Sequence, residues 1–300
     1  MTVAEKLKKR ISDGEFNQKE VARLLDISET TMSMYLNNTY KGNLKTIDKK
    51  VEKFLTNADE KKEYDFKKIK LDFVKTTVAT RVFNIAKMCQ LNGEMGVCFG
   101  RSGFGKTTAC KQYADENFGV FWLDPDEKST KNDIIRLLSR LLGINEDYVN
   151  RAIPLIVNKL NNSNYLIIVD EAENLKAPVF RLLRKIHDKC NFTFGLLFVG
   201  TERLYYNLAR MKGEFEYLTN RISCVENLQA LKESDIKALA SQVFCNLSDV
   251  CLKTFKEVCH SNARELFNLL KRTNDLVNSG NPLSPQTIHA ASKFLIGGNY

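Results

Sequence analysis

The sequence predicts an α/β domain built on a parallel sheet, set between an all-helical segment before it and another after it. Three observations carry that prediction. Between about residues 76 and 226, short apolar runs at 96–99, 120–123, 165–169, 194–199 and 222–225 alternate with amphipathic helical stretches. Strands buried on both faces read as unbroken apolar runs, and helices between them require parallel crossovers. On either side of this region, before about residue 65 and beyond Leu228, only helical periodicity is found. Lastly, a glycine-rich phosphate-binding signature stands between the first apolar run and the helix that follows it.

Composition bounds the rest. The chain has 300 residues, and 45 Lys+Arg against 36 Asp+Glu leave a net charge of +9. With 43% hydrophobic and 27% charged residues it is a globular chain with a real core, which excludes a disordered protein. The longest apolar runs fall far short of the roughly 20 residues that a bilayer requires, and the opening ten residues are too charged for a signal peptide, so no membrane partner is expected. Eight scattered cysteines without a Cys-x-x-Cys pair read as reduced core thiols of a cytosolic protein. Cys251, Cys259 and His260 lie close together, but nothing nearby completes a zinc ligand set. The positive balance is compatible with a polyanion such as nucleic acid.

Residues 1–65 read as a helix-turn-helix domain. Val21, Leu24 and Leu25 fall on one helical face, Asp26-Ile27-Ser28 makes a tight connection, and Ser28 can cap the next helix, where Thr31 to Leu36 offer alternating exposed polar and buried apolar positions. A further amphipathic helix through Ile47, Val51, Phe54 and Leu55 closes the small core. As a DNA reader this segment would turn Thr30, Thr31, Ser33 and Tyr35 toward a major groove and set Lys41 and Lys45 on phosphates; as a small helical bundle it would contact protein instead. The charge-dense run between Asn57 and Lys75 reads as a solvated linker.

Residues 66–227 carry the chemistry. Gly100-Arg101-Ser102-Gly103-Phe104-Gly105-Lys106-Thr107 satisfies G-x-x-x-x-G-K-[ST] between a strand and a helix, and with Thr108 it forms the candidate nucleotide loop. Glycines let successive N–H groups converge on a β-phosphate at a helix N-terminus, Lys106 adds a point charge, and the Thr107 hydroxyl ligates Mg²⁺. The run 165–169 delivers Asp170 and Glu171 at its carboxyl end. Asp170 is suited to hold Mg²⁺ and Glu171 to polarise an attacking water. Thr201, after the fourth run, places a hydroxyl where it can sense a γ-phosphate. Arg221 opens the fifth strand and Arg264 a later helix; each is a candidate for phosphate contact or an ordinary surface charge, and Arg210 competes with Arg221. Residues 228–300 read as four helices, broken at Asn281-Pro282.

Together these motifs, with Asn262-Ala263-Arg264 in the helical tail, resemble the AAA+ ATPases. Within them, the stretch from Ser33 to Gly42 and the segment from Phe73 to Arg81 resemble the transposition B family of phage Mu, ATP-dependent target-DNA activators. The resemblance implies an AAA+ sheet of order 5-1-4-3-2 with an α-helical lid, ATP and Mg²⁺ as cofactors, and ATP hydrolysis. It also implies homo-oligomers or helical filaments on double-stranded DNA, a DDE-type transposase as partner, and the cytoplasm of a bacterial host as location. Arg221 would reach a neighbouring subunit's site, and Lys128 and Lys131, after the second strand, would contact DNA. A replication-initiation or helicase-loading ATPase, and a transcriptional regulator switched by ATP, remain alternatives.

Overall fold

A computed structural model of the chain describes residues 2–67, 69–210 and 216–295, without the side chains of residues 63–68 and 210–217. The chain divides into two compact units, Met1–Ile69 and Lys70–Tyr300.

In the first unit, α1 (Val3–Ser12) starts on a capping box: the Thr2 side chain accepts from the Glu5 amide and the Glu5 carboxylate accepts from the Thr2 amide at 2.8 Å. Two short helices, α2 (Gln18–Leu24) and α3 (Glu29–Leu36), are joined by residues 25–28, and α4 (Leu44–Lys67) follows. Ser28 caps α3 as its sequence position predicts, accepting from the Thr31 amide at 3.0 Å. The core is Leu7, Val21, Ala22, Met32, Tyr35, Leu36, Ile47, Val51 and Leu55.

Four expectations for this unit are corrected. Residues i, i+3 and i+4 of a helix share a face, so Met32, Tyr35 and Leu36 point inward together instead of alternating, and Met34 is exposed. Tyr35 is therefore a core residue and not a groove contact: it is 1% exposed and donates its hydroxyl to Asp48 Oδ1 at 2.5 Å. Leu24 is 70% exposed, with Ala22 taking the inner place beside Val21 and Leu25. The charged run is helical as far as Lys67. Lys and Glu are good helix formers, and Arg10 pairs with Asp59 at 2.7 Å while Lys62 reaches Glu15 at 2.8 Å, so the charges brace α4 against α1 and the loop after it.

The second unit begins with α5 (Thr77–Asn92), capped by Thr76, and alternates strands with helices: β1 (Met95–Phe99), α6 (Lys106–Glu116), β2 (Val120–Leu123), α7 (Lys131–Leu141), α8 (Val149–Leu160), β3 (Leu166–Val169), α9 (Ala177–Lys189), β4 (Gly195–Gly200), α10 (Glu202–Arg210), α11 (Glu216–Thr219) and β5 (Ile222–Asn227). The five strands form one parallel sheet in the order β2-β3-β4-β1-β5, which is the expected order read from the other edge. Register pairs Phe99 with Gly200 and Val169 with Phe198, so the loops after β1, β3 and β4 emerge at one edge. Every residue of β1, β3 and β4 is buried, because helices cover both faces.

Among the described residues four helices follow: α12 (Glu233–Ala240), α13 (Asp249–Val258), α14 (Ala263–Asn278) and α15 (Pro285–Ser292), packed around Phe255, Leu266, Leu269, Leu270, Ile288 and Ala291. Buried Asp235 ties this lid to the core. It accepts from the Thr77 amide (2.9 Å) and hydroxyl (2.6 Å) and from the Lys232 amide (2.9 Å), so one carboxylate serves the N-termini of α5 and α12. The Gln242 side chain pairs with the backbone of Asp72 in both directions. All eight cysteines are free, and only Cys245 is exposed. Among the described residues, no helix is long and apolar enough to cross a membrane.

Candidate active site

The loop 100–105 leaves the end of β1, turns on left-handed Gly103 (φ 82°) and Gly105 (φ 90°), and enters α6 at Lys106. No side chain caps α6, so its first N–H groups stay free for an anion. Lys106 is only 8% exposed, and its Nζ donates to the carbonyls of Gly100 (2.8 Å) and Arg101 (3.0 Å). Burial pushes its pKa down, against the pull of Glu173 and Asp170.

From the neighbouring strand end, Asp170 is 2% exposed and accepts from Trp122 Nε1 at 3.4 Å and from the Glu171 amide at 3.0 Å. Glu171 takes left-handed backbone angles (φ 47°, ψ 35°), a conformation that costs a non-glycine residue about 1–3 kcal/mol and recurs at functional sites. It presents an exposed carboxylate held by Asn174 Nδ2 at 3.3 Å. Partial burial, then the charges of Asp124, Asp170, Glu173 and Glu127, raise its pKa, which makes it a better proton acceptor than an ordinary carboxylate. Thr201 directs a buried hydroxyl with no partner into the same space.

The lid closes over the loop. Asn262 Nδ2 donates to the Ser102 carbonyl at 2.9 Å, and the Arg264 amide donates to the Gly103 carbonyl at 3.1 Å. A Cβ at position 103 would run into the Asn262 amide, so glycine is needed there for docking as well as for its φ. The result is a cleft of about 570 Å³ lined by the loop from Ser102 to Gly105, by Thr107, Thr108, Asp170, Glu171, Thr201 and Arg264, and by the apolar Leu71, Phe73, Val74, Leu239, Leu266 and Leu270.

The structure thus gathers Lys106, Thr107, Asp170, Glu171, Thr201 and Arg264 around one space. Arg221 is elsewhere: it precedes β5, at the sheet edge opposite the loop, half-exposed, with Nε 3.3 Å from Asp188 and its guanidinium over the Phe192 ring. The side chain of Arg210 lies outside the described residues. Thr30, Lys41, Lys45, Lys128 and Lys131 are exposed, Ser33 is half-buried, and the Thr31 hydroxyl is engaged with Ser28 Oγ at 2.8 Å. Sequence reasoning missed Glu173, Asn262 as the lid's contact, and the apolar wall from residues 71–74; for Glu173 the only signal is an acid one helical turn beyond Asp170.

The donor set suits a nucleotide with a divalent cation. Thr107 and Asp170 offer hard oxygen ligands, and among the described residues no group of three or more His, Cys, Asp or Glu forms a separate metal cage. Mg²⁺ is characteristically held by one or two such protein oxygens plus phosphates.

Comparison with known proteins agrees with this geometry. The AAA domain family matches residues 90–208. The chain is 27% identical over 269 residues to the Mu-like prophage FluMu DNA transposition protein B of Haemophilus influenzae, covering 86% of this chain and 91% of that one. The chain is thus similar to the AAA domain family over residues 90–208 and to Mu transposition protein B over most of its length. The ATP-dependent target DNA activator B of Escherichia phage Mu is 26% identical over 242 residues, 78% of this chain and 75% of its own. Among solved structures, the ORC2 protein of Aeropyrum pernix in its ADPNP–ADP complexes shares the fold, with a TM-score of 0.55 at 18% identity over 74% of this chain and 68% of that one.

Proposed function

We propose that the chain is an ATP-dependent target-DNA activator: it binds ATP with Mg²⁺, assembles as a homo-oligomer on duplex DNA, stimulates a DDE-type transposase and hydrolyses ATP to ADP. The observation that carries this reading is the convergence of Lys106, Thr107, Asp170, Glu171, Thr201 and Arg264 on one cleft, in a chain alignable over most of its length with proteins named for that activity. Free N–H groups of the loop and α6 take the β-phosphate; Lys106 leaves its own carbonyls for the β- and γ-oxygens. Bound Mg²⁺ supplies charge neutralisation across the phosphates, with Thr107 and Asp170 holding it. Glu171 orients and deprotonates the attacking water, while Thr201 and Arg264 contact the γ-phosphate. Because Arg221 does not line its own cleft and is half-exposed, its place in hydrolysis is at a second copy's site. The exposed Thr30, Lys41, Lys45, Lys128 and Lys131, with Ser33, are the proposed DNA contacts.

Competition between random duplex and the chain's own upstream DNA, over a salt series with and without ATP, tests this reading. A protein that coats duplex through phosphate contacts binds random DNA only with ATP and loses affinity with a log–log slope of about 0.9 per phosphate neutralised. It also raises strand transfer by a cognate transposase. A large preference for the upstream DNA without nucleotide would overturn it in favour of a transcriptional regulator.

A further inference from the structure

Glu173 and Thr201 stand on the turns that follow β3 and β4, strands paired side by side. Glu173 Oε2 and Thr201 Oγ1 are both withdrawn from solvent, and neither has a hydrogen-bond partner. Glu173 reaches its position because residue 200 is glycine: a Cβ there would collide with Glu173 Oε2 and press on Leu204 at 3.0 Å. Both side chains line the cleft together with Lys106, Asp170 and Glu171. A buried carboxylate oxygen without a donor is costly, so this pair is arranged for a partner that belongs to the working site.

The chemistry of the two groups restricts what that partner is. An ionised carboxylate only accepts; a hydroxyl donates once and also accepts. We propose that Glu173 is a positioning residue, sharing one bound water with Thr201 that donates one hydrogen to Glu173 Oε2 and the other to Thr201 Oγ1. With its lone pair engaged in this way, Thr201 directs its own hydrogen to an acceptor in the cleft, and a γ-phosphate oxygen is such an acceptor. Glu173 thereby sets the polarity of the Thr201 hydroxyl and gives the site its preference for a triphosphate over a diphosphate. The inference rests on the nucleotide reading above and adds to it a residue and a specificity. A competing role, a plain counter-charge for Lys106, needs the negative charge of Glu173 but not its reach.

The test measures equilibrium binding of ADP and of a non-hydrolysable ATP analogue, each with Mg²⁺, to the full chain. Glu173→Gln and Thr201→Val should each cut the triphosphate preference about tenfold while leaving ADP affinity within about twofold, the effect of losing one hydrogen bond to a charged group. Because both act through one water, the double variant should lose no more than either single one. Glu173→Asp, one methylene short, should lose as much as Glu173→Gln. Losses that multiply in the double variant, or a wild-type preference in Glu173→Asp, would overturn the proposal. Without nucleotide, Glu173→Gln should unfold at or above the wild-type temperature, since it removes a buried charge; a lower midpoint with lost ADP binding would assign the residue to folding and equally end the proposal. If Thr201→Val loses the preference and Glu173→Gln keeps it, this proposal alone fails. Wild-type nucleotide affinity in Lys106→Ala would instead remove the nucleotide reading beneath it.

Discussion

In the N-terminal unit the polar side chains of α2 and α3 stand outward one by one around an apolar core, and the one buried hydroxyl among its described residues, on Tyr35, is met by Asp48. At the carboxyl edge of the sheet the opposite holds: Lys106 and Asp170 are drawn inside, Glu171 is kept in a left-handed backbone, and Thr201 has no partner. A nucleotide bound in the cleft would complete these desolvated groups. Substitutions in the cleft should therefore change function more than stability, and core substitutions in the N-terminal unit should do the reverse.

The largest expected effect is at Lys106. Lys106→Ala removes the main side-chain charge facing the triphosphate, worth two charge-assisted hydrogen bonds, so nucleotide affinity should fall by about a hundredfold or more in a calorimetric titration. ATP-dependent DNA association should vanish with it. The protein should remain folded, because the change removes a buried cation whose desolvation is costly; unfolding of the variant would erase the contrast between the two regions.

Glu171 comes next. Glu171→Gln should lower turnover by about a hundredfold or more, the usual contribution of a general base, with ATP still bound and DNA residence prolonged. Glu171→Gly should lose turnover equally but raise the unfolding temperature, since glycine adopts φ 47° without strain. Unchanged stability in that variant would show that the left-handed backbone stores nothing.

A third experiment asks whether the cleft is complete within one chain. Arg221→Ala and Glu171→Gln proteins, each inactive alone, should recover part of the hydrolysis when mixed, because some interfaces then pair an intact Glu171 with an intact Arg221. No recovery in oligomers shown to be mixed would favour Arg210 or a finger acting within its own subunit.

Smaller effects belong to the N-terminal unit. Tyr35→Phe should destabilise it by about 1–2 kcal/mol by leaving Asp48 short of a donor, and DNA affinity should hold as long as the unit is folded. Lys41→Ala and Lys45→Ala should do the converse, weakening DNA binding without moving the unfolding curve. Acid separates the regions as well. Arg10 and Lys62 hold Glu15 at about 2, below its unfolded value near 4.5. The stabilisation from Glu15 is thus fully present above about pH 4.5 and is lost as pH falls toward 2. Proton-driven loosening of the N-terminal helices in that window, followed by circular dichroism, is the expected outcome.

The sheet and the phosphate loop were legible in the sequence for a local reason. Five apolar runs interleaved with helices leave few topologies, and G-x-x-x-x-G-K-T between a strand and a helix has its geometry dictated by glycine φ angles and a helix N-terminus. The charged run before Lys70 misled because a solvated linker and a solvent-facing helix share one composition; the ion pairs of Arg10 and Lys62 that favour the helix come from residues about 50 positions away.

By itself, the sequence determined which runs become strands, where the anion-binding loop sits, and which acids end β3. Tertiary structure alone decided which side chains share a space. Tyr35 went to the core because helix rotation, set by packing of α3 against α1 and α2, outweighs the polarity of its hydroxyl, which Asp48 on α4 accepts. Arg264 came to the phosphate loop because Asn262 and the shared cap at Asp235 hold the lid against α5 and Gly103. Glu173 entered the cleft because residue 200, on the next strand, has no side chain to stop it. Each of these depends on contacts between residues far apart in the chain, which spacing along the sequence does not record.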